Sequence, residues 1–193
     1  LDKALEEFAK KKVRGIVIDL RNNPGGLLNS AIEVCSRFLK KGELVVYTEG
    51  QSARAKQEFH AVDAKKYLDI PLVLLVNGNS ASAAEIFSGC LQDHNRAVLL
   101  GTKTFGKGSV QTVIPLPDKG AMRLTTAKYY TPSRRVIHGR GITPDIIVPM
   151  TPASEAVLAM QLNLAPGEVH MKNGGGVKDV QLERALELLK GVN

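Results

Sequence analysis

Pro71-Leu72-Val73-Leu74-Leu75-Val76-Asn77, closed by Gly78-Asn79-Ser80, is the stretch from which the fold is read. An unbroken aliphatic run of strand length, bounded by a proline and by turn formers, is a buried strand. Behind the turn, Ala83, Ile86, Phe87, Cys90 and Leu91 recur at helical spacing, so the segment reads strand, tight turn, helix. The same order occurs upstream. Val13 to Leu20 is a compact apolar run, Arg21-Asn22-Asn23-Pro24-Gly25-Gly26 breaks it, and Leu28, Ala31, Ile32, Cys35 and Leu39 mark a second helix.

Working outward, Leu1, Ala4, Leu5, Phe8 and Ala9 predict a helix feeding the first strand, and Leu44 to Thr48 a further strand. Glu49 to Ala64 is polar with mixed charge and reads as a surface loop or hairpin. Ala97 to Leu100 and Ile146 to Val148 are short strands. Val110 to Pro115 and Met122 to Tyr130 form an antiparallel pair around Pro117-Asp118-Lys119-Gly120. The expected fold is therefore α/β, built from repeated strand-turn-helix units with a sheet that mixes parallel and antiparallel pairing. From Pro152 the pattern loosens, with Pro166-Gly167 and Gly174-Gly175-Gly176 as linkers. A last helix carries Leu182, Ala185, Leu186 and Leu189 on one face. Residues 1–150 are read as one core and 151–193 as an extension ending in that helix.

The 193 residues suffice for a single domain with a proper core. The net charge of +7 is scattered through helices and loops, tryptophan is absent, and no aromatic-basic stacking motif occurs. That pattern argues for solvated surface and against a nucleic-acid partner. Two cysteines, Cys35 and Cys90, are too few for a disulfide framework and fall on the apolar stripes of helices, as buried free thiols do. No apolar run approaches the ~20 residues of a membrane span, and Leu1 opens no signal peptide. A helical pattern already under way at Leu1 reads as a piece of a longer protein.

Ser82 opens the amphipathic stretch Ser82-Ala83-Ala84-Glu85-Ile86-Phe87, where a helix N-terminus offers partial positive charge and unpaired backbone N–H groups. A serine there is either a cap, as Ser80 could equally be, or a nucleophile awaiting a base. Lys107 stands between glycines in Phe105-Gly106-Lys107-Gly108-Ser109. A lysine acts as a base only when burial lowers its pKa from about 10.4 toward neutrality, and flanking glycines permit the close approach this needs. The rival reading is an exposed turn. A phosphate loop is excluded, because Gly108 stands where a Ser or Thr must follow the lysine. Gln111 could orient the ammonium, or be an ordinary surface residue. In the turn at Gly25 a backbone N–H could point into a cleft and, with that of Ala83, hold a developing oxyanion. It could also be no more than a strand-to-helix connection. The four histidines, His60, His94, His138 and His170, have no triad or metal-ligand partner at a recognisable interval, although Asp19 and Asp93 could in principle orient one. A serine and a lysine so placed make the chain read as a hydrolase.

Four stretches in this order resemble the carboxyl-terminal processing peptidases, or tail-specific proteases: Asp19 to Gly26, Ser80 to Ile86, Gly101 to Gln111 and Gly139 to Asp145. The resemblance implies a Clp-protease/crotonase type of fold, with Ser82 rather than Ser80 as nucleophile and Lys107 rather than Lys103 as general base. Gln111 would orient the lysine, and Gly25 with Ala83 would supply the oxyanion hole. It implies no metal or organic cofactor, and protein substrates with unstructured apolar C-termini. It also implies a PDZ domain upstream and a periplasmic or extracytoplasmic, possibly anchored, location for the full-length protein. Two rivals predict other chemistry. A catalytically silent scaffold of the same fold would need neither reactive group, and a crotonase-like acyl-CoA enzyme would need a CoA-phosphate site and a catalytic carboxylate.

Overall fold

β4 (Leu72–Val76) is buried along its whole length, and the reason lies in its neighbours. It runs parallel to β1 (Ile16–Asp19) on one side and β5 (Val98–Gly101) on the other, with β8 (Ile146–Ile147) parallel outside β5. Leu72, Leu74 and Val76 face one core, shared with Ile32 and Cys35 of α2 (Leu28–Cys35) and with Ile86, Phe87 and Cys90 of α3 (Ala83–Asp93). Val73 and Leu75 point the opposite way, onto Ala185 of α5 (Val180–Gly191). This alternation is the period of two of a strand, and a sheet covered on both faces needs the continuous aliphatic run that the sequence contains. Each leucine so buried contributes roughly 1.5–3 kcal/mol. The computed structural model describes residues 1–50, 56–117, 119–163 and 177–191.

A second sheet is antiparallel, in the order β3 (Gln57–His60), β2 (Leu44–Gly50), β7 (Ala121–Tyr130), β6 (Ser109–Pro115). Both kinds of pairing expected from the sequence are thus present, sorted into two sheets. The hairpin alternative holds for the Glu49–Ala64 region, since β3 pairs with β2; residues 51–55 lie outside the described ones. α1 (Asp2–Lys10) packs Leu5 and Phe8 on the larger core. Cys35 and Cys90 are buried free thiols. Among the described residues no helix is long and apolar enough to cross a membrane.

Two expectations are corrected after Pro152. α4 (Pro152–Asn163) forms where the pattern loosens. Its Ala156-Val157-Leu158-Ala159-Met160 run is apolar without periodicity, so no stripe marks it; Leu158 is buried and Met160 exposed. In α5 the packed leucines are Leu182, Leu188 and Leu189, whereas Leu186 is 45% exposed. The expected linkers at Pro166-Gly167 and Gly174-Gly175-Gly176 lie outside the described residues.

Polar groups fasten α5 to the end of β1. Arg21 joins Asp19 and Asp179 through Nη2 at 2.6 and 2.8 Å, and its Nη1 donates to Gln181 Oε1 at 3.1 Å. Asp179 also accepts the Leu182 N–H at 3.0 Å, a cap on the first turn, while buried Gln181 donates to the Val148 carbonyl at 2.8 Å.

Candidate active site

The C-terminal ends of β1 and β4 each give way to a turn and then a helix, and the two turns meet. After β4 the chain folds through Asn77–Ala81 into Ser82, the N-cap of α3. Ser82 has φ 56° and ψ −118°, a conformation that costs a non-glycine residue on the order of 1–3 kcal/mol and persists only where its surroundings impose it. Those surroundings can be traced bond by bond. Buried Ser80 donates its hydroxyl to the Leu20 carbonyl at 2.7 Å and accepts the Asn77 N–H at 3.0 Å. The Ala81 N–H donates to Asn23 O at 2.9 Å, and the Phe105 N–H to Ser80 O at 3.0 Å. Ser80 is therefore consumed by the turn, whereas Ser82 stands, partly exposed, at the helix entrance.

The turn after β1 lies against this elbow. Asn22, at φ 58°, donates its N–H to Asn77 Oδ1 at 3.0 Å and accepts from Asn77 Nδ2 at 3.1 Å and Asn79 Nδ2 at 2.9 Å. Gly25 has φ +88°, and a Cβ there would sit 2.5 Å from Ala81 O and 2.6 Å from Ala83 N. Only glycine allows both the angle and the approach. The Gly25 N–H donates to Asn23 Oδ1 at 2.8 Å. The Ala83 N–H is first in α3 and has no intrahelical acceptor by geometry. Gly25, Ser82 and Ala83 are thus brought together.

The strap from Thr104 to Gly108 forms the third side. Its glycines serve backbone packing: a Cβ at Gly106 would lie 3.1 Å from Gly141 N, and one at Gly108 2.8 Å from Ile137 Cβ. The Gly139 N–H donates to Gly106 O at 2.9 Å, and the Tyr129 N–H to Gly108 O at 2.7 Å. Lys107 is exposed, so these glycines bring the strap against residues 137–141 and do not enclose the ammonium. Gln111 follows in β6, exposed, at a register shift next to Val110.

Sequence reading passed over the residue that ties these parts together. Glu85 is fully buried in the first turn of α3; its Oε2 accepts the Ser82 N–H at 2.9 Å and the Lys107 N–H at 2.8 Å. Ser82-Ala83-Ala84-Glu85 is the Ser-x-x-Glu spacing of a capping box, so a signal was there. Asn22 and Asn77 had none beyond being turn formers. Among the described residues no histidine side chain bonds to Ser82, Lys107 or Gln111. Asp19 is engaged by Arg21 and Asp93 by Arg135 and the Ser133 N–H; His94 Nε2 lies 2.7 Å from Leu44 O, and His170 is outside the described residues. Among the described residues no group of His, Cys, Asp and Glu gathers in a way that could hold a metal ion.

Residues 1–148, which contain every part of this site, match peptidase family S41. The chain belongs to that family. A carboxy-terminal-processing protease of Bartonella bacilliformis is 45% identical to the chain, covering 99% of it and 48% of the relative. A carboxyl-terminal-processing protease of a Picosynechococcus species is 40% identical over 97% of the chain and 41% of its own length. The chain therefore spans less than half the length of these two relatives. Among solved structures, a photosystem II D1 C-terminal processing protease superposes with a TM-score of 0.70 at 34% identity, over 76% of this chain and 38% of that one. That likeness agrees with the Clp-protease type of α/β fold.

Proposed function

We propose that this chain is the catalytic core of a serine endopeptidase that processes proteins near their C-termini. The observation that carries the reading is the strained elbow at Ser82, pinned against Gly25 at the entrance of α3. Ser82 Oγ attacks the peptide carbonyl carbon while Lys107 Nζ takes its proton. The tetrahedral oxyanion is held by the Ala83 N–H and by the Gly25 turn, whose N–H exchanges Asn23 for the substrate oxygen. Collapse expels the amine, which takes a proton from Lys107, and water then hydrolyses the acyl-enzyme by the same steps in reverse. Gln111 orients the ammonium. Peptide laid across the strap excludes water from Lys107.

Apolar substrate tails fit the surroundings of the elbow, because Leu27 and Phe105, on the two segments that flank it, are 75% and 67% exposed. A PDZ domain elsewhere in the full-length protein would present such tails, and the working compartment would lie outside the cytoplasmic membrane; domain truncation and cell fractionation test these two points. The direct test is Ser82→Ala and Lys107→Ala in the intact protein, assayed by cleavage of a protein with an apolar, unstructured C-terminus. Each is expected to lower kcat by about 10⁴-fold or more without loss of folding. Normal cleavage by either variant would sink the assignment, and a native protein that binds such tails without cutting them would point to the scaffold reading.

A further inference from the structure

Glu85 makes more bonds than a helix cap needs. Besides Ser82 and Lys107 on Oε2, its Oε1 accepts the Gly106 N–H at 2.6 Å and the Thr104 hydroxyl at 2.5 Å. A carboxylate offers about four lone-pair positions, and four donors converge here. Capping accounts for one of them. The other three cross 19, 21 and 22 residues to the strap. Burying a carboxylate is costly unless it is hydrogen-bonded, and a cap on an exposed turn would serve the helix at lower cost. A single oxygen therefore spans the backbone of the elbow and the backbone of the strap.

Given Ser82 as nucleophile and Lys107 as base, the reading on which this depends, we propose that Glu85 is a positioning residue that sets the separation of the two reacting side chains without touching substrate. Glutamine at this place keeps the shape and loses the chemistry. Its carbonyl oxygen can serve only one pair of donors, and its amide NH₂ would confront the other pair, pushing elbow and strap apart. Displacement of about an ångström is enough to cost on the order of 100-fold in rate.

The test is Glu85→Gln in the intact protein, alone and combined with Lys107→Ala, with thermal unfolding as the folding control. Readouts are kcat and KM on an apolar-tailed peptide, and the rate at which a fluorophosphonate labels Ser82. Expected for Glu85→Gln are a fall in kcat on the order of 100-fold, a KM within about threefold of native, and labelling that slows in step. In the Lys107→Ala background the same change is expected to add nothing to the loss in labelling, because both remove one unit. Rates within about threefold of native, or losses that multiply in the double variant, would overturn the positioning role. If Glu85→Gln does not fold, Thr104→Val, which removes one donor to Glu85 together with the acceptor of the Ile142 N–H, carries the same test, with roughly tenfold slower labelling expected and unchanged labelling overturning it. Continued cleavage by Ser82→Ala would instead break the peptidase reading itself. Inert Ser82→Ala and Lys107→Ala beside a fully active Glu85→Gln would remove only Glu85.

Discussion

β4 and β6 are both strands rich in aliphatic residues, yet every residue of β4 is buried while Val113 and Ile114 of β6 are 59% and 36% exposed. The difference is one of neighbours. β4 has a strand on each side and helices on each face, whereas β6, among the described residues, is a sheet edge that pairs with β7 alone. Across the hairpin Met122 and Leu124 are exposed too. Apolarity and β-branching make a strand; burial is conferred by what packs on it. The comparison extends to the site. Ser82 stands on the rigid, two-sided layer, while Lys107 and Gln111 stand where the strap runs out into the exposed ribbon. Glu85, the Phe105 N–H on Ser80 O and the backbone of residues 137–141 fasten the second to the first.

Substitutions in the two layers should separate them by size of effect. Leu75→Ala removes a side chain with no exposure from between the sheet and α5 and is expected to cost about 2–5 kcal/mol in denaturant unfolding. A loss below 1 kcal/mol, roughly the least a buried leucine can shed, would mean that α5 is not seated on the sheet. Arg21→Ala, which leaves Asp19 and Asp179 without their shared cation, is expected to cost roughly 1–3 kcal/mol.

The same latch predicts a dependence on acid. Burial works to raise the Asp179 carboxyl, but hydrogen bonds from Arg21 and the Leu182 N–H, with the charge of Arg21, hold it below its ordinary value of 3.8. A carboxyl depressed in the folded state contributes stability that is complete above the unfolded value and is lost as pH falls through the folded one. Native protein should therefore lose stability below about pH 4 more steeply than Arg21→Ala; parallel acid profiles would show that the pair contributes nothing. At the small end, Leu124→Ala on the ribbon should change stability by no more than about 0.5 kcal/mol. A larger loss would reveal packing on the hairpin that the described residues do not contain.

Much of this was legible beforehand, because β4, α3, β1 and α2 announce themselves by period, and the turns between them by Gly, Pro and Asn. Ser82 and Ser80 were not separable by spacing, since either could cap α3; only packing reveals that the Ser80 hydroxyl is spent on Leu20 O. α4 was missed because an all-round apolar segment has no stripe. Leu186 was misplaced because a leucine at helical spacing fits a face whose limits only the sheet defines.

The order of amino acids alone determined the strand-turn-helix units and the candidate groups Ser82 and Lys107, since these follow from local periodicity and side-chain chemistry. Only the folded chain decided that the two pairings form separate sheets, that Arg21 latches α5, and that one buried carboxylate grips both elbow and strap. Such contacts join residues far apart along the chain. Their hydrogen bonds depend on distances that no local pattern encodes.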